Sequence, residues 1–240
     1  MARENNDLGF DSTTPLRETM DRTLAHVLER NARRQQDAEA EPRVILRDRL
    51  AADLGPRYTS TRTKLEAFQT YHAAQEAVVE AVRDYAARAK ERVEAGQGLI
   101  FYGPVGTGKD HLMACLLYES VRQGFSARWV NGLDLFGVFR DAISKHRLEN
   151  DVISEWTYPD VLGISDLLPP VGEQTPWNTQ CLLRLIDARY RRMKPTWVTL
   201  NVATVQEADT RLSAPVFDRL REGAELFRCF WPSYRERRKV

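Results

Sequence analysis

Gly103 to Asp110 reads GPVGTGKD, set between the apolar run Leu99, Ile100, Phe101, Tyr102 and the helix-compatible run Leu112 to Glu119. Few local patterns constrain a fold as tightly as a strand that gives way to a glycine loop and then a helix. Gly103, Gly108 and Lys109 satisfy the spacing G-x-x-x-x-G-K, in which backbone free of side chains closes several N–H groups around a phosphate and the lysine neutralises its outer oxygens. The positive end of the following helix adds to that attraction. Gly103, Pro104, Val105, Gly106, Thr107, Gly108, Lys109, Asp110 and His111 are therefore the predicted contacts of a nucleoside triphosphate.

One position departs from the pattern. Ser or Thr normally follows the lysine and offers a hydroxyl to magnesium, whereas this chain has Asp110. A carboxylate is a good ligand for a hard cation, yet it adds negative charge beside the phosphates. Asp110 thus either ligates the ion more strongly than a hydroxyl or penalises nucleotide when no ion is present, and the sequence leaves both open.

Length and composition agree with an α/β domain plus an appendage: 240 residues, 42% of them hydrophobic. The 35 basic and 34 acidic residues nearly cancel, so no global field draws the chain to nucleic acid, and any such contact must come from a local patch. Cys115, Cys181 and Cys229 are widely spaced and odd in number, which reads as buried thiols in a reducing compartment rather than a disulfide or zinc framework. With no apolar signal core in MARENNDLGFDSTTP and no long uncharged apolar run, the expected location is the cytoplasm.

Residues 1–15 are polar and expected to be a disordered tail. Leu16, Met20, Leu24, Val27 and Leu28 then recur at helical spacing, a narrow stripe that suits packing on the chain's own domain or a partner's groove. A second short helix is expected around Val44 to Leu54, ended by Gly55-Pro56, which makes residues 16–60 a helical, partner-binding region. A long helix is expected from Thr63 to Glu94. From there apolar runs at Ala127–Asn131, Val161–Ile164, Thr196–Leu200 and Glu225–Phe230 alternate with helical stretches. Repeated βα units predict an α/β fold for residues 61–240, a parallel sheet with helices on both faces and the ligand beyond the carboxyl ends of the strands.

The second constellation is PDVLGISDLL, Pro159 to Leu168. An apolar strand ending in an acidic residue is what a phosphate-loop enzyme uses to hold the magnesium shell, with a further carboxylate to orient water. Two registers are open. In one, Ser165 takes the metal-associated position and Asp166 the water-orienting one; in the other, Asp166 holds the metal. Asp110 and Asp166 are the candidate metal ligands.

From Leu99 onward the chain resembles the DnaC-type helicase loaders and IstB-like helper ATPases of the AAA+ class. The resemblance rests on GPVGTGKDHLMA, on LIDARYRRMKPTWVTLN (Leu185 to Asn201), on VFDRL (Val216 to Leu220) and on WPSYRERR (Trp231 to Arg238); RYTSTRTKLEAF (Arg57 to Phe68) extends it. It implies ATP and magnesium as cofactors, with Lys109 on the phosphates, Asn201 as a first sensor, Arg219 as a finger offered to a neighbouring subunit's nucleotide, and Arg235 as a second sensor, which with Asp166 are the candidate catalytic residues. It also implies homo-oligomers, since such a finger acts only between subunits. Ser165-Asp166 in place of an acidic pair, an insertion around Pro169-Pro170, and Pro215 where loaders often carry arginine are departures.

The partners that the resemblance suggests are a replicative helicase and single-stranded DNA, or a transposase if the chain is an IstB-like helper. A nucleotide-binding adaptor with little hydrolysis is a third reading, motivated by the altered metal site. Lys145, Arg147 and Trp177 offer charge and a stacking surface to a single strand, and the cluster Arg189, Arg191, Arg192 and Lys194 offers another phosphate contact. Binding of ATP with magnesium and slow hydrolysis are expected together, because Asp166 cannot readily serve both the metal shell and the water.

Overall fold

The computed structural model describes the backbone of residues 42–59, 61–146 and 149–237. The chain divides into two units, Met1–Val44 and Ile45–Val240. The expected tail at 1–15 and the helix at 16–39 lie outside the described residues. The second unit begins sixteen residues earlier than the expected boundary at residue 61, because Leu50 and Leu54 of α1 (42–54) are buried in its core. Asp53 on the same helix ties α1 to the sheet: its carboxylate accepts from the Trp129 N–H at 3.2 Å and pairs with Arg128.

Five parallel strands, β1 (Leu99–Tyr102), β2 (Ala127–Asn131), β3 (Val161–Ser165), β4 (Thr196–Leu200) and β5 (Glu225–Arg228), lie in the order β2-β3-β4-β1-β5. Side chains alternate across each strand, so β1 to β4 serve two cores, whereas the edge strand β5 buries only Phe227 in one of them. Leu99, Phe101 and Trp197 face one core with α1, α2 (Ala73–Ala87), α3 (Ala89–Glu94) and α4 (Lys109–Arg122). Ile100, Ile164, Val198 and Leu200 face the other, with α5 (Gly132–Ser144), α6 (Glu149–Thr157), α7 (Pro176–Tyr190), α8 (Val205–Leu212) and α9 (Ala214–Arg221). Helices on both faces explain why these strands are apolar without alternation in the sequence. The register Phe101↔Thr199 and Phe101↔Phe227 places β1 between β4 and β5, so the loop leaving β1 opens at the middle of the sheet's carboxyl edge.

The long helix expected over 63–94 is instead a short 3-10 turn at Leu65–Ala67, an extended stretch, and then α2 and α3. Local capping sets the break. The His72 Nδ1 accepts from the Ala74 N–H at 3.2 Å and the Gln75 Oε1 accepts from the Tyr71 N–H at 3.1 Å, which starts α2 at Ala73. A capping box starts α8, with Thr204 Oγ1 accepting from the Glu207 N–H and Glu207 Oε2 from the Ala203 N–H. Among the described residues no helix is long and apolar enough to cross a membrane.

Candidate nucleotide site

The loop between β1 and α4 is held by close approach of backbone on its outer side. A Cβ on Gly103 would lie 2.3 Å from the Cys229 carbonyl oxygen, and one on Gly106 would lie 2.0 Å from the Ser233 Oγ, so neither position admits a side chain. Two further bonds stitch the loop to the C-terminal segment: the Trp231 indole N–H donates to the Thr107 carbonyl at 2.9 Å and the Tyr234 N–H to the Gly106 carbonyl at 2.9 Å. Thr107 closes the loop on itself through its hydroxyl and the Pro104 carbonyl at 3.0 Å. Val105 stands out at 61% exposure, on the rim.

Lys109 is 5% exposed, and its ammonium donates to the carbonyls of Gly103 at 2.9 Å and Pro104 at 2.7 Å. Burial lowers its pKa, opposed by the negative groups nearby, Asp110 and Asp166 among them. An ammonium has three donors, so one remains for a ligand oxygen. Beside it the Asp110 Oδ1 accepts from the Thr199 hydroxyl at 2.7 Å, and burial together with the Asp166 charge raises the Asp110 carboxyl above its usual range.

Asp166 leaves the end of β3 with φ of 46°, a left-handed conformation that Asp tolerates better than most residues. Its N–H donates to Thr199 Oγ1 at 2.9 Å, and its Oδ1 accepts from the Asn201 amide at 2.7 Å. Ser165 is 1% exposed, with its Oγ 3.4 Å from the Asn131 amide nitrogen, so it sits inside the sheet edge. Lys109, Asp110, Asp166, Asn201 and Arg235 all line one cavity of about 610 Å³.

Beside the loop, the predicted contact His111 is joined by two rings that the sequence does not single out. Tyr58, Phe68 and His111 form a wall, with His111 in edge contact with both rings at centroid distances of 6.0 and 5.5 Å, and Arg57 and Arg62 line the same space. Burial and the Arg57 charge lower the His111 pKa, which fits a packed neutral ring. Phe68 lies within 3.2 Å of where a Gly108 Cβ would be, so the aromatic wall rests on the loop itself. A flat apolar wall facing a phosphate cradle suits a nucleobase.

Magnesium fits the donors present. Asp110 and Asp166 put two hard oxygen ligands on one cavity, and burial together with the Asp166 charge raises the Asp110 carboxyl, a repulsion that a divalent cation would relieve. Among the described residues no group of three or more His, Cys, Asp or Glu could hold an ion alone, so phosphate and water oxygens would complete the shell.

The other predicted residues lie apart from this cavity. Arg219, on α9, donates to Asp187 Oδ1 at 2.9 Å and to the Pro215 carbonyl at 3.0 Å, and lines a second cavity with Gly98 and Thr196, at the amino ends of β1 and β4. Lys145 is exposed at the end of α5, 3.2 Å from Asp141. Trp177 is half-buried against the core, with the Arg140 guanidinium 5.3 Å from its ring centroid. Arg147 lies outside the described residues.

The arginine cluster needs correction at Arg189, which is 0% exposed and cannot reach a phosphate. Its guanidinium donates to the Thr196 hydroxyl and to the carbonyls of Trp156, Thr157, Pro159, Asp160 and Pro195, at 2.7 to 3.3 Å. Arg191 and Arg192 stay exposed.

A family model described as IstB-like ATP binding protein matches residues 21–240. The chain belongs to this family. It is 28% identical over 156 residues to the replicative helicase loader DnaC of Escherichia coli (strain K12), a match covering 62% of either chain. It is 29% identical over 155 residues to an insertion-sequence ATP-binding protein of Mycobacterium tuberculosis, covering 61% of this chain and 59% of that one. The chain thus spans about three fifths of the length of these curated relatives. Among solved structures the fold is similar to the DnaC helicase loader (TM-score 0.64, 21% identity, 73% of this chain and 100% of that one). It is also similar to the replication initiator DnaA bound to AMPPCP and single-stranded DNA (TM-score 0.60, 20% identity, 75% and 51%). The fold is that of the AAA+ phosphate-loop ATPases.

Proposed function

We propose that this family member is an ATP-dependent loader that delivers a replicative helicase to single-stranded DNA in the cytoplasm. The convergence of Lys109, Asp110, Asp166, Asn201 and Arg235 on one cavity carries the nucleotide part of this reading. Lys109 binds the outer phosphates. Asp110 and Asp166 hold magnesium, which supplies charge neutralisation to the phosphate oxygens when bound. Asn201 orients Asp166, and Arg235 approaches the nucleotide from the C-terminal helix. Hydrolysis is slow, because the Asp166 carboxylate already takes the Asn201 amide and the adjoining Ser165 is no base. Arg219 stands away from its own chain's cavity and acts on a neighbour's nucleotide in a homo-oligomer formed on DNA. Lys145, Arg147 and Trp177 contribute to the strand contact, and residues 16–60 carry the partner surface.

The insertion-sequence relative favours a second reading, in which the same ATPase core delivers a transposase to target DNA. One experiment separates them. The full chain with ATP and magnesium is mixed with single-stranded DNA and either the host's replicative helicase or a transposase of the matching insertion sequence. Helicase retained on the strand only with ATP supports loading; transposase recruitment without helicase retention overturns it. In the same assay Arg219→Ala should abolish the DNA-stimulated hydrolysis and leave nucleotide binding intact.

A further inference from the structure

Thr199 belongs to neither the phosphate loop nor the acidic strand end, yet it touches both. It is 0% exposed on β4, on the side of the sheet that faces α4. The Asp166 N–H donates to its Oγ1 at 2.9 Å. With one lone pair so used, the hydroxyl proton points to the Asp110 Oδ1 at 2.7 Å. The Thr199 carbonyl accepts the next N–H, that of Leu167, at 3.2 Å. One residue therefore bends the chain out of β3 at its left-handed residue and holds the carboxylate that replaces the usual hydroxyl after Lys109. A side chain at Gly132 would strike this turn, 2.7 Å from the Asp166 carbonyl oxygen, so the turn has no room to drift towards α5.

We infer that Thr199 is a positioning residue for magnesium: its hydroxyl ties Asp110 to the Asp166 turn, so that the two carboxylates meet one ion as a preset pair. This rests on the reading of the cavity as a magnesium–ATP site. The bond joins a fully buried hydroxyl to a carboxylate at the cavity wall, and its loss frees the Asp110 side chain to rotate. The aliphatic body of Thr199 matters to packing, but only the hydroxyl matters to the ion. Valine, with the same shape and no hydroxyl, separates these roles.

The test is equilibrium binding of a fluorescent ATP analogue to the full chain as free magnesium is varied, with melting temperature measured alongside. Thr199→Val should raise the magnesium concentration for half-maximal binding roughly tenfold, the loss of one charge-assisted bond, while Thr199→Ser stays within about twofold of the wild type because it keeps the hydroxyl. In an Asp110→Ala background the same valine substitution should shift the magnesium midpoint far less, since Thr199 then holds only the Asp166 turn and no carboxylate. If Thr199→Val fails to fold, Thr199→Ala against Thr199→Ser carries the comparison. A Thr199→Val midpoint equal to that of the wild type, or a shift undiminished without Asp110, overturns the positioning role alone. A wild type whose ATP binding ignores magnesium overturns the site reading and the inference together.

Discussion

Among the described residues two cations are buried, one at each edge of the sheet, and both are held by backbone carbonyls. Lys109, at the carboxyl edge, donates to two carbonyls and borders a cavity. Arg189, near the amino ends of β3 and β4, meets six acceptors with the five N–H donors a guanidinium has. Two of those acceptors are carbonyls of the last turn of α6, which that helix leaves without partners and which favour a positive charge. Burial pushes the Arg189 guanidinium down to about 9, opposed by the Asp160 charge, so it stays charged at neutral pH. A buried cation whose donors are all used is a fastening, whereas one with a donor to spare beside open space is a binding group.

The sharpest way to break this comparison is to remove each cation in turn. Arg189→Leu should destabilise the domain by about 3–5 kcal/mol, since a set of buried carbonyls is left without donors. Chemical denaturation measures it, and Arg189→Lys should recover little because a single ammonium cannot span acceptors laid out for a planar fork. A loss under about 1 kcal/mol would mean that water replaces the guanidinium. Lys109→Ala should do the opposite, leaving stability nearly unchanged while calorimetric ATP affinity falls roughly 100-fold. If Lys109→Ala instead unfolds the protein, the lysine is the fastening.

A smaller effect tests the carboxylates that face Lys109. Chelating magnesium should weaken ATP binding roughly tenfold, because the unpaired Asp110 and Asp166 charges then repel the phosphates. Asp110→Thr should reduce that dependence, and a chelator-insensitive wild type would remove the carboxylates from the metal's shell. Asp110→Thr combined with Ser165→Asp and Asp166→Glu should raise turnover if the missing second carboxylate limits the rate.

The two cations also mark where sequence reasoning succeeds. The bounds of β1, β2 and β4 coincide with their apolar runs, because strands buried on both faces are short, apolar and ended by turn residues. Lys109 is legible because its spacing from two glycines is local. Arg189 is not, since nothing near it in sequence separates it from exposed Arg191 and Arg192; four of its six acceptors arrive with the end of α6 and the residues after it, about 30 residues away. The same limit applies to Phe68, whose spacing reads as helix, and to Tyr58, which follows the turn at Gly55-Pro56, while both rings serve the cavity wall. Thr199 and Trp231 were likewise invisible, because their roles arise only when distant segments meet at the phosphate loop.

Trp231 supplies the mildest test, on the loop side of the comparison. It is 5% exposed in the core that contains α4, and its indole N–H is the side-chain donor to the Thr107 carbonyl. Phenylalanine keeps much of the apolar contact and removes that donor, so Trp231→Phe should cost about 1 kcal/mol of stability. The carbonyl that loses its partner lies in the loop whose N–H groups must face the phosphates. Greater freedom there has to be lost again on binding, which should weaken ATP about fivefold, with Lys109 and both carboxylates untouched. Arg189 variants that still fold should bind ATP normally, because their defect lies at the far edge of the sheet. Equal ATP weakening in a folded Arg189 variant and in Trp231→Phe would show that the loop responds to overall stability and not to its own stitching.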